Sequence, residues 1–182
     1  MKILKIQVLK GPNIWSIKRK SLIQMRLDLE EIELLPTNKI DGFRERIEKL
    51  IPTLIEHRCS EGCDGGFFIR VELGTWMGHV IEHIALEIQT LAGMDTGFGR
   101  TRETKTPGIY NVVFSYTEEN VGIFAAESAV RIAQALIDGV EYDIESDIQQ
   151  MREIREKVRL GPSTGSIVEE AGSIQEIFHS ET

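Results

Sequence analysis

The fold of this chain is organised around residues 74–91, which read GTWMGHVIEHIALEIQTL. Apolar residues recur in this stretch at intervals of three and four, as is typical of an amphipathic helix. Thr75 is suited to cap the amino end, and Gly93 is suited to end the helix after Leu91 or Ala92. We therefore expect a long helix whose buried stripe consists of Val80, Ile84, Ile88 and Leu91.

Segments on both sides of this helix have the pattern of β-strands. Lys2 to Lys10 alternates in part and ends at Gly11-Pro12, and residues 23–29 alternate apolar and polar side chains. Phe67 to Leu73 alternates in the same way, and Ile109 to Tyr116 is rich in β-branched and aromatic residues. Together they predict an α+β fold with an approximately four-stranded, largely antiparallel sheet and helices packed on one face.

Three further helices are expected from the spacing of apolar residues: Phe43 to Ile55 with a break at Pro52, about Glu119 to Ile137, and about Tyr142 to Val158. The polar and basic stretch Gly97 to Gly108 is expected to be a loop. After residue 160 the composition changes to Gly, Pro, Ser and Thr and then to acidic residues. We therefore assign residues 1–160 to one domain and residues 161–182 to a linker.

The composition argues against several functional classes. Acidic residues outnumber Lys and Arg by 29 to 21, giving a net charge of −8, which disfavours nucleic-acid binding and favours a cationic ligand. No apolar run approaches the roughly 20 residues that span a bilayer, so no membrane segment is expected. Two cysteines are too few for a disulfide scaffold and favour a reducing cytoplasm. Gly97-x-Gly99 lacks the rest of a phosphate-binding loop, so this domain is not expected to bind ATP.

The principal chemical motif is the H-x-x-E-H sequence formed by His79, Glu82 and His83. At roughly 100° per residue, Glu82 lies about 60° to one side of His79 and His83 about 40° to the other, so the three side chains share one helical face. Two imidazoles one turn apart can bind zinc, and the carboxylate between them can reach a coordinated water. We therefore predict His79 and His83 as zinc ligands and Glu82 as the catalytic base. The competing interpretation is a solvated face on which Glu82 pairs with a protonated histidine.

A zinc site needs a third protein ligand, and three acidic residues are candidates. Asp147 is the first choice because it lies inside the apolar arc of the last helix, where an acid requires a partner. Glu127 is its rival at the edge of the apolar face of the preceding helix. Glu87 ranks lower because it turns about 80° away from His79.

Two other groups have possible functions. His57, Cys59 and Cys63 can bind a metal, but their spacing is not that of a standard zinc knuckle, and an ordinary reduced loop is favoured. Arg100 and Arg102 lie in a basic loop that is either simply solvated or captures carboxylates through the planar guanidinium fork. We assign Arg100 and Arg102 to substrate binding.

Several longer segments occur together and in order: Lys2-Ile-Leu-Lys-Ile-Gln7 with Gly11-Pro-Asn-x-Trp15, Met25-Arg-Leu-Asp-Leu-Glu30, Gly78-His-Val-Ile-Glu-His83, Gly97-Phe-Gly-Arg-Thr-Arg-Glu103 and Leu160-Gly-Pro-Ser-Thr164. Because they are long and consecutive, the resemblance that they carry is specific. Over about residues 1 to 170 the chain resembles the amino-terminal domain of the cyanophycin synthetase family.

This resemblance implies a cytoplasmic bacterial enzyme that builds cyanophycin, a polymer with a polyaspartate backbone and arginine on each side chain. ATP-grasp and Mur-ligase-like domains of the same full-length chain carry out the ATP-dependent additions, and residues 161–182 would lead towards the missing ATP-grasp domain. The full enzyme of the family is a homo-oligomer. The domain present here is expected to bind cyanophycin and, being metallopeptidase-like, to hydrolyse its backbone with zinc to generate primers. The alternative is a non-catalytic domain that tethers the polymer.

Overall fold

A four-stranded sheet forms one layer of the fold. The computed structural model describes residues 1–17 and 21–159, so the linker predicted for residues 161–182 lies outside the described residues. The strands are β1 (Lys2–Lys10), β2 (Ser21–Asp28), β3 (Gly99–Glu103) and β4 (Ile109–Ser115). They are hydrogen-bonded in the order β1-β2-β4-β3, and each neighbouring pair is antiparallel. The predicted α+β class with a four-stranded antiparallel sheet is confirmed.

The described residues also form five α-helices: α1 (Phe43–Leu50), α2 (Gly66–Leu73), α3 (Met77–Leu91), α4 (Glu119–Asp138) and α5 over residues 144–159. Pro52 begins a separate 3-10 turn after α1, which confirms the predicted break. Helix α3 contains the H-x-x-E-H motif and has Trp76, not Thr75, in the N-cap position. The hydroxyl of Thr75 contacts Nδ1 of His79 instead, at 2.9 Å.

The predicted third strand was wrong. Residues 67–73 belong to helix α2, and the missing strand is β3, which lies inside the stretch expected to be a loop. Leu73, which the alternating pattern placed in the core, is 67% exposed, and the buried apolar residues of α2 have the spacing of one helical face: Phe67, Phe68 and Val71. Strand β3 has few apolar residues and is held in place by backbone hydrogen bonds to β4. Because the spacing of apolar residues does not record such bonds, the sequence pattern did not indicate this strand.

The hydrophobic core lies between one face of the sheet and helices α3 and α4. Strands β2 and β4 contribute alternate residues, and α3 contributes three of its four predicted stripe residues as fully buried side chains; this set comprises Ile23, Met25, Leu27, Val112, Phe114, Val80, Ile84 and Ile88. The opposite face of the sheet carries polar residues beside the buried Leu22 and Val113, and there Nε1 of Trp15 donates to Oε1 of Gln24 at 2.7 Å. Packing of helices on one face is thus confirmed. No helix within the described residues is long and apolar enough to cross a membrane.

Candidate metal centre

Three potential metal ligands converge beside the middle of helix α3. Nε2 of His79 lies 3.1 Å from Nε2 of His83 and 3.2 Å from Sγ of Cys59. All three ligand atoms lie within 4.8 Å of one another. The two histidines come from adjacent turns of α3, whereas Cys59 comes from a short 3-10 turn (Cys59–Glu61) and has a left-handed backbone with φ of 51°. The donor set is two imidazole nitrogens and one sulfur, which suits zinc.

A chain of hydrogen bonds behind His83 determines which of its nitrogens is free to bind a metal. Nε2 of His57 lies 2.7 Å from Oε2 of Glu87, and Nδ1 of His57 lies 2.7 Å from Nδ1 of His83. Because a carboxylate only accepts, His57 donates from Nε2 and, when neutral, accepts at Nδ1. His83 therefore donates from Nδ1 and presents the lone pair of Nε2 to His79 and Cys59. Outer hydrogen bonds of this kind fix the tautomer and orientation of metal-binding histidines.

Both α3 histidines are neutral near physiological pH. Burial lowers the pKa of His79 to about 4, with a further contribution from the charge of Arg70. Burial also lowers the pKa of His83 well below its ordinary value, together with the charges of His79 and His57. Neutral imidazoles facing one another with bare nitrogens repel unless a proton or a cation lies between them. The arrangement therefore fits a metal ion bound between these nitrogens. Among the described residues, the hydrogen-bond partner of Glu82 is Thr101 and not a histidine, unlike in the salt-bridged face considered from the sequence.

Glu82 lies on the same face of α3, held against strand β3. The hydroxyl of Thr101 donates to Oε2 of Glu82 at 2.6 Å. A side chain at Gly99 would place its Cβ only 2.7 Å from Cγ of Glu82, so the absence of one there makes room for the carboxylate. Burial raises the pKa of Glu82 to about 7, and the Thr101 hydrogen bond and the charges of Arg100 and His57 offset this only in part. A carboxyl group with this pKa can take up and release a proton near neutrality.

A cleft of about 450 Å³ connects these groups. Helix α3 contributes His79, Glu82 and His83 to its lining. Leu86 and Thr90 of the same helix, residues 57–60, and the segment that contains Thr96, Gly97 and Gly99 complete it. Candidate ligands and candidate base therefore share one cavity, which is what hydrolysis at a metal site requires.

The third ligand expected from the sequence does not join the cluster. The carboxylate of Asp147 accepts from the hydroxyl of Tyr142 at 2.7 Å and lies 3.4 Å from the guanidinium of Arg131. These partners explain why an acid is tolerated on the buried side of α5. Of the rivals, Glu127 is exposed on α4, and Glu87 is engaged by His57. We therefore replace Asp147 by Cys59 in the candidate ligand set.

The sequence analysis did not assign Cys59 and His57 to the metal centre on α3. It considered them only as part of a separate loop site with Cys63, and that site was not favoured. The sequence signal was their spacing, His57-x-Cys59, but nothing local indicated that this segment packs against α3. Cys63, the third residue of that suggested site, is exposed and lies outside the cluster.

Arg100 and Arg102 belong to strand β3 and not to a loop. Both are exposed, whereas Thr101 between them faces α3 and donates to Glu82. Because side chains alternate along a strand, the two arginines leave the backbone on the face away from α3. They therefore flank the cleft and do not line it, although the charge of Arg100 still acts on Glu82.

Residues 24–138 match the sequence model of the family described as "Cyanophycin synthase-like N-terminal domain". The chain belongs to this family. It is 53% identical over 174 residues to the cyanophycin synthetase of Synechocystis sp., a match that covers 94% of this chain and 20% of that protein. The match to the cyanophycin synthetase of Geminocystis herdmanii is 53% over 178 residues, covering 96% and 20%. For the protein of that name from Crocosphaera subtropica it is 51% over 174 residues, covering 94% and 20%. The chain thus spans about a fifth of the length of these relatives.

Proposed function

We propose that this domain binds cyanophycin and hydrolyses its backbone at a zinc centre held by Cys59, His79 and His83, producing short chains that prime polymerisation. The observation that carries the proposal is the convergence of Sγ and two Nε2 atoms within 4.8 Å, in a cleft that Glu82 also lines. Structural zinc sites have four protein ligands, whereas catalytic sites have three and keep a position for water or substrate. A set of three ligands with a carboxylate of raised pKa alongside supports the catalytic type.

The reaction is hydrolysis of a main-chain amide. Zinc bound here supplies a Lewis acid that polarises the carbonyl and lowers the pKa of water. Glu82 accepts a proton from the attacking water at its carboxylate and passes it to the departing nitrogen as the C–N bond breaks. Thr101 holds that carboxylate in place through its 2.6 Å hydrogen bond. The products are a carboxylate on one fragment and an amine on the other, so one water is consumed per bond cut.

The polymer chemistry fits the charges of the domain. Cyanophycin carries guanidinium groups, which the net charge of −8 accommodates, and carboxylates, which Arg100 and Arg102 can bind from the rim of the cleft. The relatives are named cyanophycin synthetases and are about five times longer. We infer that ligation belongs to ATP-grasp and Mur-ligase-like domains of a longer chain, which assembles as a homo-oligomer in the cytoplasm. Those domains would extend the primers that this domain produces.

The test is incubation of the 182-residue chain with cyanophycin and zinc, followed by sizing of the polymer. We expect the polymer to shorten with zinc and to stay intact with a chelator. The Glu82→Gln variant should bind zinc normally but leave the polymer intact, because it keeps the shape of the side chain and loses the base. Glu127→Gln, at an exposed glutamate of α4, is the matched control and should cut like the native chain. Polymer that is bound but never shortened by the zinc-loaded chain would instead establish a tethering domain.

A further inference from the structure

Strand β3 forms one edge of the sheet. At every second residue of β3, the backbone N–H and C=O groups point away from β4 and have no partner strand. The amide of Ser115 donates to the carbonyl of Phe98, and the amide of Thr104 donates to the carbonyl of Ile109. Both bonds belong to the register in which Gly99 faces Phe114. In an antiparallel ladder, hydrogen-bonded and non-hydrogen-bonded pairs alternate.

The residues that bond to β4 are therefore Arg100 and Arg102. Gly99, Thr101 and Glu103 direct their backbone N–H and C=O groups away from β4. Among residues 1–17 and 21–159, no backbone hydrogen bond outside the sheet ladder engages these three residues. The edge thus offers a row of donors and acceptors at every second residue.

This edge begins at the cleft. Gly99 lines the cavity together with Glu82 and the zinc-ligand candidates, and Thr101 hydrogen-bonds to Glu82 itself. An extended chain laid along β3 would therefore pass beside the candidate base. The other edge of the sheet, β1, is separated from β3 by two strands and has no residue in the lining of the cleft.

We propose that the substrate main chain binds as an added strand on the outer edge of β3, pairing with the backbones of Gly99, Thr101 and Glu103. This inference rests on the proposed function, because it assigns the polyamide backbone of the polymer to that edge. An extended polyamide presents its own N–H and C=O groups at the same two-residue spacing, so pairing does not depend on side-chain identity. It suits a polymer in which every backbone unit carries the same long side arm.

The geometry also assigns the side arms. Residues opposite one another in neighbouring strands have side chains on the same face of the sheet. Polymer units opposite Arg100 and Arg102 therefore place their arms on the outer face beside these guanidinium groups. There the terminal carboxylate of an arm can pair with an arginine fork. The intervening units place their arms towards α3 and the cleft.

Amide hydrogen exchange measured by NMR tests the proposal. The Glu82→Gln variant is used with a short synthetic oligomer of arginine-bearing aspartate units, so that the ligand survives. We expect the amides of Gly99, Thr101 and Glu103 to exchange about tenfold more slowly with the oligomer bound. The amides of Arg100 and Arg102, already bonded to β4, should change little, as should those of β1. Unchanged exchange at the three outward amides, or equal slowing at all five residues, would overturn the proposal.

A pair of substitutions at Glu103 gives a second test. Oε1 of Glu103 accepts from the amide of Gly108 at 3.2 Å, and both Glu103→Pro and Glu103→Ala lose that contact. Only proline also loses the outward N–H, and it does so without breaking a bond to β4. We expect the proline variant to bind the oligomer about fivefold more weakly than the alanine variant, the effect of one net hydrogen bond. Equal affinities, with zinc binding intact in both, would contradict the pairing.

The two proposals fail in different ways. An alternating exchange pattern without any hydrolysis by the native chain would leave edge binding in place and refute the hydrolase. Hydrolysis by the native chain without the alternating exchange pattern would leave the hydrolase in place and refute edge binding.

Discussion

Replacement of Glu82 by glutamine should stabilise the metal-free domain at neutral and alkaline pH while removing its activity. Glu82 is 6% exposed, and burial raises its pKa from an ordinary value of 4.5 to about 7. A raised pKa means that the stability associated with the protonated group is fully present below pH 4.5 and is lost as the pH rises through 7. The difference of about 2.5 pH units, at about 1.36 kcal/mol per unit, amounts to about 3.4 kcal/mol. Glutamine keeps the hydrogen bond from Thr101 but cannot ionise, so it escapes this cost.

The measurement is urea unfolding of the native chain and of Glu82→Gln at a series of pH values, with a chelator present throughout. The difference in the free energy of unfolding should be near zero at pH 4.5 and approach about 3 kcal/mol in favour of the variant above pH 8. Saturating zinc should reduce this difference, because a nearby cation stabilises the Glu82 carboxylate.

Glu87, a second carboxyl group on α3, is the control for the direction of the change in the free energy of unfolding. Burial, the largest single influence, would raise the pKa of Glu87, but the hydrogen bond from His57, the Thr53 hydroxyl and the charge of His57 together more than offset it, and the pKa is lowered overall. Glu87→Gln should therefore destabilise the domain at neutral pH. If Glu82→Gln is destabilising at pH 8, or if its effect does not vary with pH, then the Glu82 carboxylate is stabilised as an anion and is not suited to act as the base.

Four further outcomes are expected. His57→Ala should weaken zinc binding about 10- to 100-fold by releasing the orientation of a ligand, as measured by competition with a chromophoric chelator. Cys59→Ala should weaken binding by more than that in the same assay, because a ligand itself is lost; equal losses in the two variants would argue against sulfur ligation. Gly99→Ala should displace the Glu82 carboxylate and lower kcat on the order of 10²-fold, with zinc affinity unchanged in the competition assay. Asp147→Asn should leave zinc affinity unchanged but lower the free energy of unfolding by about 1 to 3 kcal/mol, as denaturant titration can show.

Much of the fold could be predicted from local patterns. The helix around the H-x-x-E-H motif and the strand over residues 23–29 follow from the spacing of apolar residues, and the break at Pro52 follows from the missing backbone N–H of proline. The error at residues 67–73 arose where a short apolar segment satisfies both periods, and length alone does not separate a strand from a two-turn helix. Strand β3 escaped prediction because its order comes from pairing with β4.

The residues of the candidate site likewise fall into two groups, those predicted from local spacing and those brought together by packing. That His79, Glu82 and His83 share a face could be predicted from their spacing, because helical geometry relates positions within one turn whatever surrounds the helix. The packing of distant segments brings Sγ of Cys59 beside these histidines, places His57 and Glu87 behind His83, and sets Thr101 against Glu82. These contacts join segments far apart in the chain, and their distances depend on how the sheet and helices pack. No periodicity along a single segment records that packing.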